Sequence, residues 1–351
     1  MNLSICIITK NEKEKLHKCL CAIKDYGCEI VVVDTGSTDG TKEMAAEFTE
    51  NIYDFLWCDN FAIARNFAAD KATSDLILML DSDEYITRFD IKKVIEMMTS
   101  HPKALGRVKR ENVINDNGEE RVVTEYISRV YRKSEFEYEG RIHEQLVDMK
   151  RTYEYQTYEL PIVLLHDGYS GGVRDKKAKA ERNIKLLLLD LDERPDDTYV
   201  LYQLGKSYYM AGEYQNALKY FDIALGYDVN PKLEYVIDMV ETYGYTLLNL
   251  KMYDVALQLY GVYEEFGDCA DFKILMGLIF MNNMMFDEAV REFLSATRYS
   301  EARTIGANSF IAYYNAGVVR ECLGDKVQAK EYYEKCGDYP KAKARLAVIE
   351  K

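Results

Sequence analysis

The sequence predicts two domains of different class, an α/β domain followed by an all-α domain built from helical repeats. The chain has 351 residues, which is more than one average domain contains. Over the first hundred residues, short β-branched runs alternate with amphipathic stretches. From about Lys176 the pattern turns helical and repeats itself, so we expect domains at residues 1–175 and 197–351, joined by a helix over 176–196.

The α/β domain opens with a strand, a helix and a second strand. Leu3–Thr9 is almost wholly apolar, as expected of a strand covered on both faces. Residues 12–26 carry apolar side chains on one face and end at Gly27, which predicts an amphipathic helix. Glu29–Asp34 then reads as the second strand, so a right-handed crossover connects the two.

Further along, strands are predicted at residues 52–57 and 75–80, with a helix between them that begins at Asp59 or Asn60. Residues 106–114 and 119–131 flank the turn sequence Asp116-Asn117-Gly118, a strong hairpin signal. A hairpin adds antiparallel pairing, so we expect the sheet to become mixed there.

The second half contains a repeated pattern of small and aromatic residues. Gly205, Gly244, Gly277 and Gly317 are each followed twelve positions later by alanine and sixteen positions later by an aromatic residue, namely Phe221, Tyr260, Phe293 and Tyr333. The small residues allow paired helices to approach, and the aromatic residues are expected to fill the groove between neighbouring units. The pattern resembles tetratricopeptide repeats, with an unrelated helical bundle as the alternative. The glycines lie 39, 33 and 40 positions apart, against 34 in the ideal repeat, so the first and third units should carry longer loops.

Composition excludes several classes of protein. The formal net charge of −14 disfavours a surface that follows nucleic-acid phosphates, so no nucleic-acid partner is expected. No apolar stretch has membrane-spanning length and no leader precedes the first strand, so we expect a cytoplasmic protein without a transmembrane segment. The eight cysteines show no CxxC spacing and should be reduced structural thiols.

The sharpest chemical signal is the Asp81-Ser82-Asp83-Glu84 sequence that follows the apolar run of residues 76–80. Carboxylates two positions apart at the end of a strand can face one hard cation, such as Mg²⁺ or Mn²⁺, which also takes phosphate oxygens. Asp-x-Asp pairs elsewhere often only cap helices or solvate turns. The Asp81 and Asp83 pair lies at the carboxyl end of a strand, where open α/β sheets bind ligands, and this position favours a metal site.

A second signal is the turn rich in Gly, Ser and Thr that follows Asp34. This turn lacks the spacing of a phosphate-binding P-loop, which disfavours kinase or ATPase chemistry. The first strand is followed by Thr9-Lys10-Asn11-Glu12 rather than by glycines, which disfavours a nicotinamide or flavin cofactor.

Together these segments resemble family 2 glycosyltransferases with the GT-A fold. The resemblance rests on SICIITKNE at residues 4–12, VVVDTGSTDG at 31–40, DNFAIARN at 59–66 and DSDE at 81–84, and it covers residues 3 to about 170. It implies transfer of a sugar from a nucleotide sugar, with uridine as the usual nucleoside, and a divalent cation as cofactor.

The resemblance also implies roles for single residues. Thr9, Asn11 and Asp34 match positions that bind the nucleoside, and Arg65 matches an arginine near the base or the diphosphate. Asp81 matches a contact to ribose or to a water on the metal, and Asp83 matches the metal ligand. For Arg65 and its neighbour Asn66, a solvated helix face is the alternative.

On the acceptor side, Gly140 lies in a segment that resembles the acceptor loop. Glu144 follows it and matches the base that deprotonates the acceptor, while His166 matches a histidine that completes the metal shell. His143 departs from the usual acidic residue, so it could bind metal, orient Glu144 or pack. A buried, hydrogen-bonded imidazole is the alternative for each histidine.

Combining such a domain with helical repeats resembles bacterial enzymes that glycosylate ribosomally made peptides on cysteine, or flagellin on serine and threonine. We therefore expect an inverting transferase that uses a UDP-hexose or UDP-N-acetylhexosamine and a protein or peptide acceptor bound by the repeats. Assembly of a surface polysaccharide or a lipid-linked glycan is the alternative enzyme activity. An inactive repeat scaffold is the alternative of another class, and the repeats also leave room for a homodimer.

Overall fold

The computed structural model describes residues 2–116, 119–152, 155–166 and 173–349. It divides the chain into two compact units, Met1–Glu193 and Arg194–Lys351. The predicted connecting helix over 176–196 overlaps a helix that spans Val173–Glu193. Within the described part, no helix combines the length and the apolar character needed to cross a membrane.

The first unit is an α/β domain. Its described strands are β1 Leu3–Thr9, β2 Glu29–Asp34, β3 Ile52–Asp54, β4 Leu76–Asp81, β5 Glu84–Phe89, β6 Ala104–Asp116, β7 Glu119–Arg132, β8 Phe136–Glu139, β9 Gln145–Asp148 and β10 Gln156–His166. Its helices are α1 Lys13–Ile23, α2 Thr41–Ala45, α3 Phe61–Lys71, α4 Ile91–Ser100 and α5 Val173–Glu193, with a 3₁₀ turn at Lys24–Tyr26.

Eight of the described strands form one mixed sheet in the order β3-β2-β1-β4-β7-β6-β10-β5. β1 runs parallel to β2 and β4, whereas β7 is antiparallel to both β4 and β6. The predicted hairpin of β6 and β7 is therefore present, although its Asn117-Gly118 turn lies outside the described residues. The α/β class and the mixed sheet predicted from the sequence are confirmed.

Both faces of the sheet are covered. Leu16 and Leu20 of α1 and Val94 of α4 pack in a core on one face, and Ala64 and Ala68 of α3 pack in the core on the other. Burial on both faces explains why β1, β2 and β4 are almost wholly apolar.

The third strand is shorter than predicted. β3 pairs with β2, and the last residue of β2, Asp34, pairs with Asp54, so residues 55–58 have no neighbouring strand to continue the ladder. Asn60, not Asp59, caps α3 through a 3.0 Å hydrogen bond to its side chain from the Ile63 amide. Asp59 instead accepts a 2.8 Å hydrogen bond from the Trp57 indole.

The second unit is helical throughout its described length. Its helices are α6 Thr198–Met210, α7 Tyr214–Leu225, α8 Glu234–Asn249, α9 Tyr253–Ala256, α10 Tyr263–Phe266, α11 Ala270–Asn282, α12 Phe286–Ala296, α13 Phe310–Cys322, α14 Lys326–Glu334 and α15 Pro340–Ile349, with a 3₁₀ segment at Leu257–Val262. Consecutive helices pack in pairs, α6 with α7, α11 with α12 and α13 with α14. The longer loops predicted for the first and third units lie before α8 and α13.

The repeated glycines let an aromatic ring approach the helix backbone. A Cβ atom added at Gly277 would lie 2.4 Å from the Phe293 ring, and Gly205 and Gly317 stand in the same relation to Phe221 and Tyr333. Each ring thus packs on the glycine of its own helix pair, whereas the sequence suggested the groove between units.

Tyr260 is the exception to this pattern. Its side chain is 59% exposed, so the core position predicted for it is wrong. The 3₁₀ segment turns more tightly than an α-helix and changes which residue faces inward. Leu259 and Leu275 approach Gly244 in its place.

Candidate active site

The predicted site residues on the first strands lie at one edge of the sheet. Thr9 ends β1, Asp34 ends β2 and Asp81 ends β4, and the register pairs Thr9 with Asp34 and Ile8 with Asp81. Because these strands are parallel, their carboxyl ends meet at this edge, which is where open α/β sheets bind ligands.

Two buried oxygens at this edge lack a partner. Oδ1 of Asp34 accepts hydrogen bonds from the amides of Gly36 and Ser37 at 2.9 and 2.8 Å, which leaves Oδ2 for another group. Oδ2 of Asp34 and Oγ1 of Thr9 are both buried and have no hydrogen-bond partner among the described residues. Buried polar atoms in folded proteins are nearly always paired, so these two point to a ligand with donor groups.

Asn11 shapes the loop that follows β2. Its backbone has φ +52°. Its side-chain Oδ1 accepts a 2.8 Å hydrogen bond from the backbone amide of Thr38, and its backbone amide donates to Ser37 Oγ at 2.8 Å. These bonds tie the β1–α1 loop to the β2–α2 loop. The position predicted for nucleoside contact therefore also builds the wall of the site.

Arg65 connects the donor side of the predicted site to the acceptor side. Its Nη2 donates to Asp81 Oδ1 at 2.6 Å and its Nε donates to Glu144 Oε1 at 2.5 Å. Arg65 lies in the middle of α3 with 4% of its surface exposed, and the Tyr138 ring lies 5.5 Å from its guanidinium carbon. The alternative of a solvated helix face is therefore wrong for Arg65. It is also wrong for Asn66, whose side chain hydrogen-bonds the backbone of Tyr138 at both ends.

Both carboxylate oxygens of Asp81 are bound by arginines. Oδ1 accepts from Arg65, and Oδ2 accepts from Arg129 Nη2 at 2.6 Å. Burial favours the neutral form of this carboxyl, but the charges of Arg129 and Arg65 outweigh burial and hold the pKa of Asp81 well below its ordinary range. Asp81 is thus a fixed anion that orders two arginines.

Asp83 and His166 come together as predicted ligands of one cation. His166 Nε2 lies 3.6 Å from Asp83 Oδ1, although 83 positions separate them in sequence. Burial raises the pKa of Asp83, and the contact with His166 more than offsets burial, so the pKa of Asp83 lies below its ordinary value. Lys15 Nζ lies 3.7 Å from the other carboxylate oxygen.

The tautomer of His166 follows from its neighbours. Asn112 donates through Nδ2 to Glu125 Oε1 at 2.6 Å, so its Oδ1 faces His166 Nδ1 at 2.7 Å and must accept. With a proton on Nδ1, the imidazole turns Nε2 towards the Asp83 carboxylate. Two acceptors facing each other need either a proton or a cation between them.

These two side chains fit a hard divalent cation. No cluster of three ligating side chains occurs within the described ranges. Mg²⁺ and Mn²⁺ sites in nucleotide enzymes commonly use one or two protein ligands and complete the shell with phosphate oxygens and water. Asp83 and His166 would hold such an ion.

The acceptor loop brings Glu144 to the site but not His143. Glu144 immediately precedes β9, and its side chain is 10% exposed. His143 adopts φ +53°, and its Nε2 lies 3.4 Å from Asn183 of α5. Of the three roles left open for His143, this contact favours packing. Asp167, a substitute candidate for the base, lies outside the described residues.

Three charged residues of the site were given no role by the sequence analysis, namely Glu84, Arg110 and Arg129. Glu84 is fully buried and accepts from the Asp81 amide at 3.0 Å, from Arg129 at 2.9 Å and from Arg110 at 3.1 Å. Arg129 and Arg110 lie on β7 and β6. The signal that could have found Arg129 is its position between the apolar residues Ile127 and Val130, because a buried strand holds a cation only against a buried anion.

Both units match known proteins in sequence. Residues 4–158 match the glycosyl transferase family 2 model, and residues 199–226 match a tetratricopeptide repeat model. A TPR repeat-containing protein of Synechococcus elongatus is 30% identical over 226 residues, covering 62% of this chain and 55% of that protein. The SPbeta prophage-derived glycosyltransferase SunS of Bacillus subtilis is 25% identical over 310 residues, covering 85% of this chain and 72% of SunS.

Among solved structures, S. aureus TarS is similar over 71% of this chain and 53% of its own length, with 13% identity and a TM-score of 0.41. The chain spans about half the length of the Synechococcus relative and about three quarters of SunS. The resemblance read from the sequence, and with it the enzyme class, is confirmed by the family match and the relatives. The N-terminal domain thus matches glycosyltransferase family 2 over residues 4–158, and the helical unit that follows contains a match to a tetratricopeptide repeat.

Proposed function

We propose that this protein is a metal-dependent inverting glycosyltransferase that moves a hexose or N-acetylhexosamine from a UDP-sugar to a polypeptide side chain. The observation that carries the proposal is the position of Arg65 between Asp81 and Glu144. One buried guanidinium joins a carboxylate at the donor edge of the sheet to a carboxylate on the acceptor loop.

The nucleoside end of the donor would lie against Thr9 and Asp34. Their two unpartnered buried oxygens suit the imide N–H of uracil and a ribose hydroxyl, because each is a donor. The loop fixed by Asn11 would close this side of the nucleoside.

The diphosphate would lie beside Asp83 and His166, whose facing acceptor atoms suit a shared cation. When bound there, Mn²⁺ or Mg²⁺ would neutralise the charge that develops on the departing diphosphate. The half-exposed Lys15 beside Asp83 adds a positive charge at the same place.

Glu144 would accept the proton of the acceptor group. One of its oxygens is held by Arg65, and the other can receive the proton. The acceptor oxygen or sulfur bonds to the anomeric carbon while the bond from that carbon to the diphosphate breaks. A carboxylate that acts as base rather than as nucleophile gives a single displacement, and therefore inversion.

The repeats support a polypeptide acceptor. Helical repeat arrays offer extended surfaces to peptides. Of eight tyrosines in the second unit, Tyr202 is buried and seven are half-buried, namely Tyr208, Tyr209, Tyr235, Tyr243, Tyr245, Tyr313 and Tyr314. Such side chains present apolar area with a hydrogen-bonding tip. A cytoplasmic location is part of this proposal.

The test is incubation with a panel of sugar nucleotides and leader-bearing peptide or flagellin acceptors, followed by intact-mass measurement. Addition of one hexose or N-acetylhexosamine, abolished by a chelator, is expected.

A truncated chain ending at Arg194 should still release UDP slowly yet lose most transfer. Full transfer by the truncated chain would refute the acceptor role of the repeats, and transfer only to lipid or glycan acceptors would favour the polysaccharide alternative. No release of nucleoside diphosphate from any donor would favour the inactive scaffold.

A further inference from the structure

Arg129 lies at an irregularity in the sheet. On β6, consecutive residues Gly106 and Arg107 pair with Val130 and Ser128 of β7, so Arg129 is an extra residue in a β-bulge. β7 pairs with β4 through Arg132, Tyr131 and Val130, and the pairing ends where Val130 meets Leu78. A bulge redirects a side chain and commonly occurs beside active sites. Here it lies where β4 and β7 separate.

The side chain of Arg129 binds both ends of one turn. Its Nη2 donates to Asp81 Oδ2 at 2.6 Å and to Glu84 Oε1 at 2.9 Å. The other oxygen of Glu84 accepts from the Asp81 amide at 3.0 Å. Asp81 ends β4, Glu84 begins β5, and the turn between them carries Asp83.

These contacts leave little freedom for the turn. Glu84 is completely buried and Arg129 is 7% exposed, so neither charge can exchange its partner for water without a large cost. Arg110 supports the pair from β6 through its 3.1 Å bond to the same Glu84 oxygen. Among the described residues, the side chain of Asp83 contacts His166 at 3.6 Å and Lys15 at 3.7 Å. Its location is therefore set mainly by the backbone of the turn.

We propose that Arg129 is a positioning residue that fixes the turn from Asp81 to Glu84 and thereby places Asp83 opposite His166. The inference rests on the proposed function for its catalytic consequence, but the effect on the turn does not depend on any ligand. Lysine could not replace Arg129 fully, because both bonds start from Nη2 at the far end of the guanidinium, which the shorter lysine side chain does not reach.

Arg132 provides a matched control. It lies on the same strand, is equally buried at 7% exposure, and pairs with Asp75 at 3.2 Å before the start of β4. Substituting it disturbs a buried arginine of β7 without touching the turn.

The first measurement is amide hydrogen exchange of residues 76–89 in the full chain without ligand. Arg129→Lys should raise the exchange rate at Ser82, Asp83 and Glu84 by about tenfold or more, because the turn opens locally. Arg132→Lys should leave these amides unchanged. Equal exchange in Arg129→Lys and wild type would overturn the proposal, and folding of this variant is checked by unchanged exchange in β1.

The second measurement is the Mn²⁺ concentration that gives half-maximal release of nucleoside diphosphate. Loss of a residue that orients a metal ligand typically costs 10–100-fold, so Arg129→Met should raise this concentration by about that factor and Arg129→Lys should recover part of it. An unchanged concentration in Arg129→Met would also overturn the proposal. Absence of metal-dependent release in wild type would instead contradict the proposed function, while the exchange measurement would still decide the role of Arg129.

Discussion

Nε of Arg65 lies 2.5 Å from Oε1 of Glu144, and the two residues are 79 positions apart in the sequence. The arginine comes from the helix after β3, and the glutamate comes from the loop before β9. Their contact holds the loop before β9 at the carboxyl edge of the sheet and fixes one oxygen of Glu144. In the proposed function, the other oxygen receives the proton of the acceptor.

Replacement of Glu144 by glutamine keeps the shape of the side chain and removes the proton acceptor. We expect sugar transfer to fall by about a hundredfold or more, since general-base catalysis contributes that much, while donor binding changes little. Steady-state kinetics with a peptide acceptor and calorimetry with UDP measure the two quantities. Glu137→Gln, on the exposed side of β8, is the control and should keep full activity. Undiminished transfer by Glu144→Gln would move the base elsewhere, with Asp148 and Asp167 as the next candidates.

Arg65→Met should destabilise the first unit. It leaves Asp81 and Glu144 without the cation they share, and breaking a buried ion pair from one side costs about 3–5 kcal/mol. Urea unfolding measures the free energy of unfolding. Arg151→Met, which removes an exposed partner of Glu137, should cost less than about 1 kcal/mol. Equal losses in free energy of unfolding for the two substitutions would show that the buried Arg65 contacts stabilise the fold no more than an exposed ion pair.

Much of the fold follows from local patterns in the sequence. β1 and β2 have the predicted bounds because both are apolar runs bounded by clear turn signals. Thr9, Asp34 and Asp81 could be placed at one edge because parallel strands align their carboxyl ends. The short β3 could not be predicted, since its length depends on where its partner strand ends.

Contacts made by side chains from distant segments were harder to predict. The match of Arg65 to a family position did not indicate that Glu144 would be its partner, because α3 and the acceptor loop meet only in the folded chain. The bulge at Arg129 depends on the register between β6 and β7, which alternation alone does not specify. Tyr260 faces solvent because a 3₁₀ segment interrupts the helical period, and no residue in that segment signals the change.

The repeated glycines make a prediction about stability. Gly277→Ala would place a Cβ 2.4 Å from the Phe293 ring, and overpacking of this kind costs about 1–3 kcal/mol. Gly261 in the 3₁₀ segment has nothing within 4 Å of such a Cβ, so Gly261→Ala should be neutral or slightly stabilising. Thermal unfolding of both variants tests the contrast. A tolerated alanine at Gly277 would mean that Phe293 can move aside at little cost.

Glu241 of α8 predicts a dependence of stability on pH. Burial raises the pKa of Glu241 from 4.5 to about 7, although the nearby Arg303 acts in the opposite direction. Between these two pKa values the folded state keeps a proton that the unfolded chain has lost. The stabilisation of the folded state by protonated Glu241 is therefore complete below pH 4.5 and is lost as the pH rises through 7.

Ionisation of Glu241 should lower the free energy of unfolding by about 2–3 kcal/mol between pH 4.5 and pH 8. Glu241→Gln should remove this dependence on pH. The quantity to measure is the difference in free energy of unfolding between wild type and variant at several pH values, which cancels the other titrating groups. A difference that does not vary with pH would show that Arg303 keeps Glu241 ionised throughout.

The central claim is that Asp83 and His166 hold a cation that binds the diphosphate of the donor. Calorimetric titration of UDP with and without Mn²⁺ tests it most directly in wild type, Asp83→Ala and His166→Ala. We predict that Mn²⁺ raises the affinity of wild type for UDP by tenfold or more, that Asp83→Ala loses this gain, and that His166→Ala needs about 10–100 times more Mn²⁺ to reach it. Equal affinity of wild type with Mn²⁺ and with a chelator, or an undiminished gain in Asp83→Ala, would contradict the metal site.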